Sequence, residues 1–184
     1  MDSAVIRFLK SFKRNGDKPV KERYFQYMKK SVYLDSTIFS FYYDKRPNSL
    51  QRQQITADWW ETQRKYYDNY TSFFVIKEVS NPIYPQWEEV TALAKLIPVL
   101  EETPEVRGIV KAYLENKLMP IDDAGDAAHL AIASYYSVDF LLTWNCIHLA
   151  NANKIEHIRR INMRLGLFTP DLITPEQLFM EEPI

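Results

Sequence analysis

Apolar and polar positions in this chain fall into blocks whose lengths suit strands and helices in turn. The stretch "SVYLDSTIFSF", residues 31–41, is apolar and β-branched until it meets one charge, Asp35. Residues 32–34 therefore read as a short buried strand. Residues 49–70, "SLQRQQITADWWETQRKYYDNY", carry apolar positions at mixed three and four spacing. That spacing predicts one long amphipathic helix with Leu50, Ile55, Trp59 and Tyr66 facing inward. "SFFVIKEVS" predicts a second strand over 73–76, apolar up to a charged pair, and "QWEEVTALAKLI" a helix followed by a third strand in "PVLEE".

Thr103-Pro104 opens another helix, with Thr as N-cap and Pro at the first helical position, running to about Lys117. "IDDAGDAAHLAIASYY" is the next helix, and "DFLLTWN" a fourth strand centred on Leu141 and Leu142. "NKIEHIRRINMRLG" reads as a basic amphipathic helix closed by Gly166. "DLITPEQLF" supplies a last short strand and a helix opened by Thr174-Pro175. Helices alternate with strands that are continuously apolar, which is the mark of a parallel sheet covered on both faces, an α/β sandwich.

Composition narrows this picture. Apolar residues make up 46% of 184, enough to build one packed core, and only 4 glycines argue against long flexible linkers. No apolar run approaches the roughly 20 residues that cross a bilayer, and no signal-peptide pattern opens the chain. Cys146 is the only cysteine, so no intrachain disulfide or thiolate zinc cage can form, and a reducing cytoplasm is expected. The net charge of −1 hides a segregation: residues 1–30 carry nine Lys/Arg against three Asp/Glu, and the remainder carries fourteen against twenty-one. A basic arm on an acidic body can grip nucleic acid. The plainer expectation is a poorly ordered extension over 1–27, with the folded domain spanning 28–184 from the start-like "YMKKSVYLD".

The acids fall in a telling place. Ligands of such sheets bind beyond the carboxyl ends of the strands. Asp35 ends the first predicted strand, Glu78 follows the second, Asn145 follows the fourth, and Asp126 lies in the first turns of the helix before it. Three carboxylates in one cleft repel each other and take up protons unless a cation is present. Oxygen ligands without cysteine suit Mg²⁺ or Mn²⁺, which screens a phosphodiester and supplies a water nucleophile. The chemistry implied is hydrolysis of a phosphate ester.

Each residue has a plainer role beside it. Asp35-Ser36-Thr37 is also a helix N-cap signal. Glu78 also reads as a surface acid, and Asp122 and Asp123 as ordinary first-turn acids. His129, one turn after Asp126, reads as a hydrogen-bonded core histidine, and Phe39, Phe41, Tyr42 and Tyr43 as core and rim packing.

The order "VYLDSTIFS … FFVIKEVS … DAGDAAHLAIASYYSVDFLLTWNCIHLAN … ITPEQLF" resembles the PIN-domain superfamily, and within it the VapC-type toxins of type II toxin–antitoxin pairs. The resemblance covers residues 28–179, with "DAAHLAIA" and "DFLLTWNCIHLANA" its most specific part. It implies a PIN-like, Rossmann-like three-layer sandwich with a central, mainly parallel sheet. It further implies Mg²⁺- or Mn²⁺-dependent cleavage of RNA, a homodimer and neutralisation by a cognate antitoxin. Carried over by position, the family's acids fall on Asp35, Glu78 and Asp126. The fourth position, often Asp, is Asn145 here, which brings no negative charge and weakens the case for a second metal. The expected arrangement is one metal on Asp35 and Asp126, with Glu78 orienting a water and Asn145 in support.

Lys45 and Arg46, in the loop beyond the first strand, are the cations expected to contact RNA phosphates. Two other classes stay open. One is a PIN fold that binds RNA or protein without cutting it. The other is a phosphatase-like enzyme with Asp35 as nucleophile, although that class wants a second acid where Thr37 stands.

Overall fold

Val32, Tyr33 and Leu34 are wholly shielded from solvent, where an unbroken apolar run must sit in a sheet covered on both faces. The computed structural model of the protein describes residues 29–120 and 124–180. The extension expected over 1–27 and the acids Asp122 and Asp123 lie outside these described residues. The strands are β1 (Ser31–Leu34), β2 (Asp68–Ser72), β3 (Val99–Leu100), β4 (Phe140–Leu142) and β5 (Asp171–Ile173). All pair in parallel, in the order β3-β2-β1-β4-β5. The chain steps outward from β1 to β3 on one side and returns with β4 and β5 on the other. The order therefore reverses between β1 and β4, whose register sets Leu34 beside Leu142.

Seven helices stand among the described residues: α1 (Ser36–Tyr43), α2 (Leu50–Asp58), α3 (Phe73–Val79), α4 (Trp87–Ala94), α5 (Pro104–Glu115), α6 (Ala124–Tyr135) and α7 (Ala152–Leu165). Their ends follow local chemistry. Thr103 caps α5 by accepting from Val106 N–H, with Pro104 at the first helical position. Gly166 closes α7 in the left-handed region at φ 68°, where a side chain is disfavoured. α1 packs with α2, α3 and α4, while α5 packs with α6, which also meets β4. One apolar core joins sheet and helices, giving the three-layer α/β sandwich. Each fully buried Leu or Ile in it stabilises the fold by roughly 1.5–3 kcal/mol relative to exposure.

Two expectations are corrected. The helix predicted over 49–70 stops at Asp58, passes through a π turn, Trp59–Gln63, and a 3-10 turn, Arg64–Tyr66, and gives way to β2. Trp59 and Trp60, which open the π turn, are both buried. Leu50 and Tyr66, expected inward, are 54% and 46% exposed. The second strand is also displaced, since "DNYTS" pairs in the sheet and "FFVIKEV" is the helix α3. Ser72 caps that helix by accepting from Val75 N–H, and Val75 and Val79 bury one face while Phe73 is 60% exposed. The apolar run was a helical stripe, and in the polar strand the buried Thr71 Oγ1 donates to Leu34 O at 3.1 Å.

Candidate functional site

Beyond the carboxyl ends of β1 and β4, where the strand order reverses, a cavity of about 1060 Å³ opens. Asp35, Glu78, Asp126 and Asn145 all line it, with His129 and Thr37. This is the position where open parallel sheets bind ligands.

Asp35 follows β1 directly and caps α1, accepting from Thr37 N–H at 2.9 Å. The same Oδ1 accepts from Thr37 Oγ1, and Oδ2 accepts from Thr143 Oγ1. The direction of both hydroxyl bonds is set from behind. Thr37 Oγ1 accepts from Trp144 N–H at 2.8 Å and Thr143 Oγ1 from Asn145 N–H at 2.9 Å, which leaves each hydroxyl proton for Asp35. Asp35 thus caps α1 and lines the cavity at once. Asp35 is only 1% exposed. Burial raises its pKa, and the His129 charge and the threonine bonds only partly offset that effect.

Glu78 does not follow a strand end, as the sequence reading had it, but sits in the last turns of α3. Its Oε2 accepts from His129 Nε2 at 3.1 Å. Gly125, at the start of α6, makes room for it: a Cβ there would lie 2.5 Å from Glu78 Oε1. Burial pushes the Glu78 carboxyl up, but the bond and charge of His129, with Ser36, bring it below its ordinary value. His129 is 2% exposed and hydrogen-bonded, as a core histidine should be. Burial lowers its pKa, and Glu78, then Asp35 and Asp126, more than reverse this. Behind it, Nδ1 meets Tyr33 Oη at 2.9 Å, and Tyr33 meets Ser72 Oγ at 2.7 Å. With His129 charged, protons can run along this chain from Nδ1 to Tyr33 to Ser72, each group donating to the next.

Asp126 lies in the first turn of α6. Asn145 Nδ2 donates to its Oδ2 at 2.7 Å, while Asn145 Oδ1 accepts from Ile147 N–H and His148 N–H. The side-chain carbonyl oxygen of Asn145 is turned to the loop, and its amide nitrogen braces Asp126. Thr37, Thr143, Tyr33, His129 and Gly125 complete the arrangement; the sequence singled out Thr37 beside Asp35 and His129 one turn after Asp126, the latter only as a core histidine, and gave no signal for the others.

Lys45 and Arg46 are exposed and also line the cavity. Arg46 forks onto Asp44 through Nε and Nη2 and lowers that carboxyl to about 2. Lys45 is in no ion pair among the described residues.

The donor set is all oxygen plus one histidine, which suits a hard cation. No group of three His, Cys, Asp or Glu among the described residues is gathered into a ready metal cage. Among the described residues no helix is long and apolar enough to cross a membrane. Comparison with known proteins finds no family model and no curated protein that matches this chain.

Proposed function

We propose that this cavity hydrolyses phosphodiester bonds of RNA with Mg²⁺ or Mn²⁺, as a PIN-domain endoribonuclease of the VapC-toxin type. The observation that carries the reading is the burial of Asp35 at the reversal of strand order, in one cavity with Glu78 and Asp126. A buried carboxylate that its hydrogen bonds do not fully compensate is stabilised by a cation beside it. Asp35 and Asp126 would hold the ion, with Glu78 next to them. When bound, such an ion screens the charge of a phosphodiester and makes water a better nucleophile.

The chain's own groups do the rest. Glu78, kept ionised and oriented by His129, is the acceptor for a proton from water. The threonines fix Asp35, and Asn145 fixes Asp126. Lys45 offers a free charge to phosphate at the rim. With this reading go a cytoplasmic homodimer and a cognate antitoxin that blocks the cavity.

One observation favours the alternative of a binding module that does not cut. Asp35, Glu78 and Asp126 are each hydrogen-bonded within the protein, and a neutral amide replaces the fourth acid. Incubating the chain and its Asp35→Asn variant with single-stranded RNA and Mn²⁺ decides between them. Metal-dependent cleavage abolished in the variant supports the nuclease. RNA retention with no cleavage by either protein supports the binding module.

A further inference from the structure

We propose that Arg52, held over two aromatic rings at the edge of the acidic cavity, takes a phosphate of the bound RNA strand. The inference rests on the ribonuclease reading and deepens it.

Arg52 lies in the first turn of α2 and is exposed. Its guanidinium carbon stands 5.5 Å from the centre of the Phe41 ring and 5.4 Å from that of Trp144. Arg52 and Trp144 are outside the cavity lining and adjoin it through Phe41, against which both stand. Phe41 lines the cavity, and Trp144 lies between Thr143, which bonds Asp35, and Asn145, which bonds Asp126. The platform is fixed. Trp144 Nε1 donates to Thr56 Oγ1 at 2.8 Å, and the Thr56 hydroxyl donates to the carbonyl of Arg52 itself at 2.7 Å.

A contact between a guanidinium and an aromatic ring consumes no carboxylate partner, and the N–H groups that remain match phosphate oxygens. Arg52 is in no ion pair among the described residues, and its charge is therefore not neutralised by a carboxylate. Arg46, the arginine singled out from the sequence, is the opposite case, because Asp44 already holds its fork. Of the two arginines, the one that stands on the rings keeps both its charge and its donors for a ligand.

The test is the salt dependence of binding of a fluorescent single-stranded RNA oligonucleotide, measured without divalent ions so that nothing is cut. Wild type, Arg52→Ala, Arg52→Met, Arg52→Lys and Arg160→Ala are compared, with melting temperatures recorded for each. The expected result for Arg52→Ala is a slope of log affinity against log salt reduced by about 0.7, one phosphate contact on a single strand. Arg52→Met, which keeps an apolar stem over the rings, should match it at an unchanged melting temperature. Arg52→Lys should keep the slope but bind more weakly, and Arg160→Ala, an exposed arginine of α7 outside the cavity lining, should behave as wild type. A wild-type slope in both Arg52→Ala and Arg52→Met overturns the assignment while the ribonuclease reading stands. A wild type that neither binds RNA here nor cuts it when Mn²⁺ is added overturns both.

Discussion

The two ends of the β1–β4 pair carry the same device with different consequences. At the amino end, Asp139 receives Ser31 N–H and Ser31 Oγ, both at 2.8 Å, and its own N–H donates back to Ser31 Oγ at 2.9 Å. At the carboxyl end, Asp35 receives an N–H and two threonine hydroxyls. Both are aspartates that clip neighbouring strands through hydroxyl groups. Asp139 is half-buried and lines no part of the cavity, whereas Asp35 is buried and shares the cavity with two more carboxylates. A hydrogen-bonded acid is thus ordinary architecture. Burial, company and position at the reversal of strand order set the second one apart.

The largest expected effect separates the two clips by function. Asp35→Asn should lower metal-dependent RNA cleavage by about 10²–10³-fold, the scale of losing one electrostatic stabiliser, while Asp139→Asn should leave the rate near that of wild type. Stability should move the other way. Because burial raises the Asp35 pKa, its ionised form weakens the fold once the pH rises through the folded-state pKa, and the effect vanishes below the unfolded value. At neutral pH the melting temperature of Asp35→Asn should equal or exceed that of wild type, and that of Asp139→Asn should fall.

Thr143→Val attacks the clip and not the charge. It strips Asp35 Oδ2 of its donor and Asn145 N–H of its acceptor in a fully buried place. The expected loss is roughly 1–3 kcal/mol in denaturant unfolding, the cost of unpaired buried groups. A loss near zero would mean that the threonine contributes packing alone.

Gly125→Ala is a smaller change with an informative sign. Elsewhere in a helix it would stabilise by about 1 kcal/mol. Here the added methyl meets Glu78 Oε1, so the gain should disappear and cleavage should drop roughly tenfold. A stabilised, fully active variant would show that Glu78 has room to move without consequence.

The smallest effect concerns pH. His129 is raised, so its contribution is present below its unfolded value, about 6.5, and is lost as pH rises through the folded one. Glu78 is lowered, so its contribution is present above about 4.5 and is lost as pH falls through the folded value. The gap in melting temperature between wild type and Glu78→Gln should be widest between those two limits. A gap that does not vary with pH would contradict the pairing.

Much of the frame was legible beforehand, for identifiable reasons. β1 and β4 are unbroken apolar runs, α5 has Thr103-Pro104 and α7 ends on Gly166, signals that depend on neighbours in sequence. β2 was hidden because its polar residues find partners only in three dimensions: Tyr33 Oη for Ser72, Arg64 O and Tyr67 O for Asn69. Asp35 and Asn145 were legible from their place after strands and Asp126 from the first turn of α6, whereas Glu78 was reached from a supposed strand that is the helix α3. What holds them was not legible. The hydroxyl that grips Asp35 comes from 108 residues away, and the histidine that grips Glu78 from 51. Nothing in "TWN" or "AAHLAIA" by itself distinguishes such contacts from core packing.

The central claim is that a hard divalent cation belongs among Asp35, Glu78 and Asp126, and calorimetric titration with Mn²⁺ tests it most directly. Wild type and Asp139→Asn should bind one ion with the same heat, and Asp35→Asn should give none. Equal heat from Asp35→Asn, or no heat from the wild type, would contradict the account.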